Sequence, residues 1–362
     1  MTTPARKIRV LVVDDSAVSR AFLAHELQTD AGIEVVACVH SGAEAIAALG
    51  RQKPDVVTMD IHMPGMDGYE ATRQIMETQP LPIVIVSGSY DAADVEKTFR
   101  AMEAGAVAAI EKPPGLKHPN HDAAVLKLIN IVKAMSEVRV VRRWSKQRME
   151  TQRDHPPGPL LPDNDGVRLV AIGASTGGPP VLHKVLAGLT KPFPFPIVIV
   201  QHISAGFVQG LVDWLNATTG MPVRLAKNGE VIQPGHAYLA PDGCQMRIEP
   251  DGRVVCGPEP AEHGLRPSVS YLFRSVAARF GPQAVGVLLT GMGRDGAEEL
   301  KLMRDSGAVT IAQDEESSIV HGMPGEAIRL GGAVHVGSPE RIAQILQSLA
   351  TQASRRLAAV PP

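Results

Sequence analysis

The sequence predicts an α/β protein of two doubly wound domains. The first is a five-stranded parallel, flavodoxin-like sheet, and the second a larger, mostly parallel Rossmann-like sheet with added antiparallel hairpins. Three observations predict this. Short β-branched runs alternate with amphipathic stretches; the alternation breaks in a basic and then Pro-rich segment; beyond that segment it restarts. At 362 residues the chain is long enough for about two domains, each with its own core.

In the first half, strands are expected near Ile8 to Val13, Val35 to Val39, Val56 to Met59, Ile83 to Val86 and Val107 to Ile110. Helices are expected near Ala17 to Gln28, Ala43 to Leu49, Tyr69 to Glu77, Ala92 to Ala104 and Asp122 to Ala134, with Ser16 and Ser41 as N-caps. Residues 139–166 read as a hinged linker, basic at Arg142-Arg143 and then rich in Pro, Gly and Asp.

After the linker come buried strands near Leu169 to Ile172, Ile197 to Gln201, Val285 to Leu289, Val309 to Ala312 and Ala333 to Val336. Helices are expected near Pro180 to Leu189, Phe207 to Asn216, Val269 to Phe280 and Glu298 to Ser306. Between Val223 and Cys256 the rhythm changes: Ala237 to Ala240, Gln245 to Glu249 and Arg253 to Cys256 are separated by Pro-Asp-Gly turn signals, which predict hairpins added to the sheet.

Composition narrows the function classes. Lys plus Arg is 36 against 38 for Asp plus Glu, without the basic excess of a nucleic-acid binder. Three cysteines, far apart and without a C-x-x-C, make neither a disulfide framework nor a zinc site, and a reducing cytoplasm fits them best. The opening apolar run stops at Asp14-Asp15, too short for a signal region, and no later run reaches the ~20 residues needed to cross a bilayer.

Two constellations carry chemistry. Asp14-Asp15 ends the first strand and Asp60 the third, and a doubly wound sheet brings such ends to one crevice. Hard oxygen ligands converging there suit Mg²⁺ and a phosphorylatable Asp. Ser87 and Lys112, after the fourth and fifth strands, are placed to hold phosphoryl oxygens. In the second half, Gly173-Ala-Ser175-Thr-Gly177 fits the G-x-S-x-G elbow, with Ser175 as nucleophile or as a helix N-cap in an anion-binding turn. His202 and Asp295 each follow another strand, so Ser175, His202 and Asp295 can form a triad, with His236, His263 and His321 as rival bases. Backbone N–H groups of Thr176 and Met292 are the candidate oxyanion donors, the Met292 side chain being expected to pack.

The first constellation resembles the response-regulator receiver family, through V-D-D-S at Val13 to Ser16, M-D-I-H-M-P-G-M-D-G at Met59 to Gly68, and K-P at Lys112-Pro113. The resemblance covers about residues 6 to 135. It implies that Asp60 accepts a phosphoryl group from a histidine kinase, with Asp15, Asp60 and the His62 carbonyl on Mg²⁺ and Asp14 in support. Receivers usually carry a switch aromatic where this chain has Ala109; Tyr90, in the loop after Ser87, is the nearby aromatic.

The second half resembles the catalytic domain of chemotaxis protein-glutamate methylesterases. The matching stretches are I-G-A-S-T-G-G-P at Ile172 to Pro179, Gln201-His202, G-H-A-Y-L-A-P at Gly235 to Pro241, R-P-S-V at Arg266 to Val269, L-L-T-G-M-G-R-D-G-A at Leu288 to Ala297, and G-M-P-G-E-A-I at Gly322 to Ile328. The family usually has Asp where this chain has Ser270, a change expected to touch no triad member. The implied organisation is a receiver in residues 1–138, a linker in 139–166 and an esterase domain in 167–362. The implied activity is hydrolysis of glutamate γ-methyl esters on cytoplasmic chemoreceptor helices, without a cofactor for that step, and in some relatives deamidation of receptor glutamines. The receiver is expected to cover the active site until phosphorylated. A silent interaction module is disfavoured by the complete triad, and a transcription regulator by the near-neutral charge and the lack of a C-terminal helix-turn-helix region.

Overall fold

β-Branched residues favour extended backbone, and the first unit opens with such a run, Ile-Arg-Val-Leu-Val-Val, as strand β1 (Ile8–Val13). The computed structural model describes residues 6–88, 92–138, 140 and 166–359, and the chain divides into two compact units on either side of residue 151. The remaining first-unit strands are β2 (Ile33–Val39), β3 (Val56–Met59), β4 (Ile83–Ser87) and β5 (Ala108–Glu111). Its helices are α1 (Ala17–Gln28), α2 (Gly42–Gln52), α3 (Gly68–Thr78), α4 (Ala92–Ala104) and α5 (His121–Ser136). The strands form one parallel sheet in the order β2-β1-β3-β4-β5, the flavodoxin-like order expected. Helix α1 packs on α5, and α3 on α2 and α4, so both faces are covered.

Ser16 and Ser41 cap α1 and α2, accepting from the amides of Ser19 and Glu44 at 3.3 Å. Asp67 caps α3 in the same way, accepting from Glu70 at 2.8 Å, which starts that helix one residue before the expected Tyr69. Nearly all of the linker, and Tyr90, lie outside the described residues.

The second unit contains β6 (Leu169–Ala174), α6 (Gly178–Ala187), β7 (Ile197–Gln201), α7 (Val208–Thr219), β8 (Val223–Leu225) and β9 (Ala237–Leu239). It continues with β10 (Gln245–Ile248), β11 (Val254–Gly257), α8 (Val269–Phe280), β12 (Ala284–Leu288), α9 (Ala297–Asp305), β13 (Val309–Gln313), α10 (Met323–Arg329), β14 (His335–Gly337) and α11 (Pro339–Ala359). Seven strands form a parallel sheet in the order β14-β13-β12-β6-β7-β9-β8.

The middle region divides in two. Strands β10 and β11 make the antiparallel hairpin, with Met246 opposite Cys256, as a separate two-stranded sheet. Met246, Ile248 and Val254 pack with Leu272, Phe273 and Val276 of α8 in one buried cluster. Strand β9 instead joins the main sheet parallel to both β7 and β8. A turn signal identifies a chain reversal, whereas the partner of a three-residue strand is chosen by tertiary packing.

The chain enters the sheet at β6, runs outward through β7, and returns to β12 on the other side of β6. The carboxyl ends of these three adjacent strands face one crevice, the position where open α/β sheets bind ligands.

Candidate active site and acidic pocket

In the first unit, Asp14 and Asp15 leave the end of β1 and Asp60 the end of β3. The Asp60 amide donates to the Val13 carbonyl at 2.9 Å, which keeps the two strand ends in register. Each of the three aspartates offers a carboxylate oxygen, and these oxygens lie within 4.8 Å of one another. Lys112 bridges two of them, its Nζ 2.8 Å from Asp14 Oδ2 and 2.9 Å from Asp60 Oδ2. Burial works against the ammonium, but the two carboxylates outweigh it and raise the Lys112 pKa. Burial is also the largest influence on Asp60; with help from Asp14 it overcomes Lys112 and raises the carboxyl pKa. Asp14 is fully buried and is held by the Ser16 amide at 2.9 Å and the Ser19 hydroxyl at 2.6 Å.

Ser87, at the end of β4, is buried, and its hydroxyl has no hydrogen-bond partner among the described residues. An unpaired buried hydroxyl beside converging carboxylates fits an oxyanion ligand, and the hard oxygen set fits Mg²⁺. His62 lies exposed in the loop after β3, and Ala109 is half-buried in β5 opposite Ile85.

The raised Asp60 pKa carries a prediction. A carboxyl whose folded pKa lies above its unfolded value is easier to fold protonated, so its ionisation opposes folding as pH rises through the folded pKa. Asp60→Asn is therefore expected to raise the melting temperature at pH 7, with the gain shrinking towards pH 4. Thermal scans across that range check it.

In the second unit, Ser175 follows β6, His202 follows β7, and Asp295 lies in the loop after β12. The His202 amide donates to the Ala174 carbonyl at 2.9 Å, and the Ser175 amide to the Thr290 carbonyl at 3.0 Å, so the three loops are laced together. Gly291 packs against the serine: a Cβ there would stand 2.6 Å from Ser175 Cβ and 2.3 Å from Met323 Sδ, so only glycine fits. Ser175 is not a helix cap, since Gly177 occupies the cap position of α6 in the left-handed region with no side-chain bond.

His202 Nε2 lies 2.9 Å from Asp295 Oδ2, an ion-pair contact short of straight hydrogen-bond alignment. Because Nε2 faces the carboxylate, Nδ1 is the ring nitrogen left for another partner. Asp295 is 3% exposed and sits on the N-terminus of α8. Its Oδ1 accepts from the Ser268 hydroxyl at 2.9 Å and the Ser270 amide at 3.0 Å, and its Oδ2 from the Val269 amide at 2.7 Å. Burial alone would raise its pKa; His202 and these donors prevail and hold it well below the usual carboxylate range.

Ser270 therefore does touch a triad candidate, correcting the expectation that the substitution leaves all three alone. The contact is through its amide, while its hydroxyl donates to Glu299 at 2.6 Å and accepts from the Gly296 amide at 2.9 Å. The amide bond does not depend on which side chain stands at position 270.

The rival histidines are placed elsewhere or turned away. His236 Nδ1 lies 3.0 Å from the Pro234 carbonyl, and His263 is exposed with φ 52° in the turn closed by Glu262 and Leu265. The His321 backbone pairs with Gly291, but its Nδ1 lies 3.4 Å from Ser318 Oγ.

For the oxyanion candidates, peptide geometry sets direction. The Gly291 carbonyl accepts from the Met323 amide at 2.9 Å, so in a trans peptide the Met292 N–H points the opposite way. The Met292 side chain is 55% exposed, so the expectation that it packs is wrong. With its Cα in a surface turn after Gly291, it has no core to enter.

Comparison with known proteins decides the family. The model of the CheB methylesterase family matches residues 170–346, and that of the response regulator receiver domain residues 10–118. A protein-glutamate methylesterase/protein-glutamine glutaminase of Nitrosospira multiformis is 54% identical over 346 residues, covering 95% of this chain and 98% of its own.

The chain belongs to the CheB methylesterase family.

A Geobacter metallireducens relative of the same description is also 54% identical, over 351 residues, with 95% of this chain and 99% of its own covered. The Thermotoga maritima CheB methylesterase catalytic domain aligns at 34% identity and a TM-score of 0.49, over 51% of this chain and all of its own. The residues that sequence reasoning missed in this CheB chain are supports: Ser268, Gln245 and Thr290. Gln245 Oε1 accepts from the Ser268 amide at 2.9 Å, and Thr290 Oγ1 donates to the Thr176 carbonyl at 3.0 Å. Ser268 and Thr290 lie in the stretches Arg266 to Val269 and Leu288 to Ala297 that carry the resemblance, where nothing in the sequence assigns them a role, and the signal for Gln245 is a polar residue in an apolar setting.

Proposed function

We propose that the chain is a phosphorylation-activated protein-glutamate methylesterase acting on cytoplasmic helices of chemoreceptors. The observation that carries the reading is the His202–Asp295 pair beside Ser175 at the ends of three adjacent strands. In support stand the two relatives of that name at 54% identity over nearly the whole chain.

Ser175 Oγ attacks the γ-ester carbonyl and gives its proton to His202 Nδ1, while Asp295 holds Nε2–H and stabilises the imidazolium. The N–H groups of Thr176 and Met292 receive the charge of the tetrahedral oxygen. Collapse breaks the carbonyl–methoxy bond, and the imidazolium returns its proton so that methanol leaves. Water, deprotonated by His202, then attacks the acyl-serine; the carbonyl–Oγ bond breaks, the imidazolium returns its proton to Ser175 Oγ, and the glutamate carboxylate is freed. With a glutamine side chain the same route expels ammonia, matching the second activity in the relatives' names. No cofactor takes part in ester hydrolysis.

In the receiver, residues 1–138 in this reading, Asp60 accepts a phosphoryl group from a histidine kinase, and Ser87 and Lys112 bind its oxygens. Asp15, Asp60 and the His62 carbonyl would hold Mg²⁺, supported by Asp14, and the ion would neutralise charge during phosphoryl transfer. Residues 139–166 link this switch to the esterase domain, residues 167–362. No described helix is long and apolar enough to cross a membrane.

In this reading phosphorylation shifts the esterase from an inhibited to an active state; moving such an equilibrium from 1:99 to 99:1 takes about 5.5 kcal/mol. Methanol release from methylated receptor membranes, with and without a small phosphodonor, tests the reading. The phosphodonor is expected to accelerate release, and deletion of residues 1–140 to do so without it. A truncated chain no faster than the unphosphorylated full chain would refute inhibition by the receiver.

A further inference from the structure

We propose that Gln201 is a positioning residue for ester hydrolysis, its single side-chain amide fixing both the Ser175–Thr176 peptide and the main chain of His202. The proposal rests on the roles given above to Ser175 and His202. Gln201 ends β7 and is 5% exposed. Its Nε2 donates to the Ser175 carbonyl at 2.7 Å and to the His202 carbonyl at 2.8 Å, so one planar group ties the nucleophile's loop to the base's loop.

The first bond reaches the chemistry through the peptide plane. In a trans peptide C=O and N–H point opposite ways, so anchoring the Ser175 carbonyl sets the direction of the Thr176 N–H. That N–H is one of the two donors assigned to the oxyanion. Donors preorganised for the transition state act on kcat rather than on substrate binding.

Stability is a weak account of the amide. Gln201 Oε1 is buried with no hydrogen-bond partner among the described residues, a cost to folding that an apolar side chain of the same length avoids and that offsets the Nε2 bond to the His202 carbonyl. The start of α6 leaves room for it: a Cβ on Gly178 would lie 2.1 Å from Oε1. The Gly178 amide also donates to the Ser175 carbonyl, at 2.8 Å, so the turn keeps one bond when Gln201 is changed.

The test uses the full chain with phosphodonor on methylated receptor membranes, assaying wild type, Ser175→Ala, Gln201→Met and Gly178→Ala together. Methanol release by wild type and none by Ser175→Ala establishes the underlying reading; any other result for that pair removes both the reading and the proposal. Gln201→Met is then expected to melt no lower than wild type, to keep KM within about twofold, and to lose about 10- to 100-fold in kcat. Gly178→Ala, which drives Oε1 from its place, is expected to show the same split by a separate route. An unchanged kcat in Gln201→Met, a loss confined to KM, or a kcat loss accompanied by a lower melting temperature in both variants would overturn the proposal.

Discussion

Ser175→Ala is expected to reduce methanol release by at least about 10⁴-fold, the scale seen when a hydrolase loses the nucleophile of a working triad. The fold should survive. Ser175 is half-buried, its backbone hydrogen-bonds to Thr290, Gly178 and Gln201, and alanine keeps the Cβ that packs on Gly291. Phosphoryl uptake at Asp60 should be untouched, because the carboxylates and Lys112 belong to the other compact unit. A radiolabelled or phosphate-affinity readout alongside the methanol assay separates the two activities. Equal loss of both would point to misfolding.

Asp295→Asn should cost nearly as much in rate, about 10⁴-fold, while changing stability as well. Asn presents an amide in place of one oxygen of a group that here accepts from Ser268, Val269 and Ser270 and faces His202. At least one donor would then meet an N–H₂, and leaving a buried polar group unmatched costs about 1–3 kcal/mol. The pH sign follows from the depressed pKa of Asp295: its stabilising effect is present above the unfolded value of about 3.9 and is lost as pH falls through the lower folded value. Wild type should therefore lose its stability margin over Asp295→Asn only in strongly acidic solution, which thermal melts from pH 7 downward would measure.

Much of this was legible beforehand because parallel strands carry a strong signal. Ile8 to Val13 and Ile197 to Gln201 are rich in β-branched residues and largely buried in the sheet as expected; the first is followed by Asp14 and the second ends on Gln201 before His202, polar residues that the switch-point rule sends to a crevice. The short elements were not legible. Val223–Leu225 is three residues long, and the first turn of α10 holds Pro324-Gly325, which reads as a chain reversal until the packing of Met323 and Ala327 in the core is seen. Helix α11 is different: Ile342, Ile345, Leu346 and Leu349 have helical spacing in the sequence and are buried.

The site divides along the same line. Ser175, His202 and Asp295 announce themselves by residue type at strand ends, whereas the donors to Asp295 are two backbone amides and one serine at a helix N-terminus. Backbone amides have no sequence signature. Met292 shows the converse: its residue type suggested packing, and its position in a turn decided for solvent.

The central claim is that Ser175, His202 and Asp295 act as one unit. Methanol-release rates of Ser175→Ala, His202→Ala and the double variant test it most directly. Residues that work only together give non-additive losses, so the double variant should be no slower than Ser175→Ala alone. Losses that multiply in the double variant, or appreciable turnover without Ser175, would contradict it.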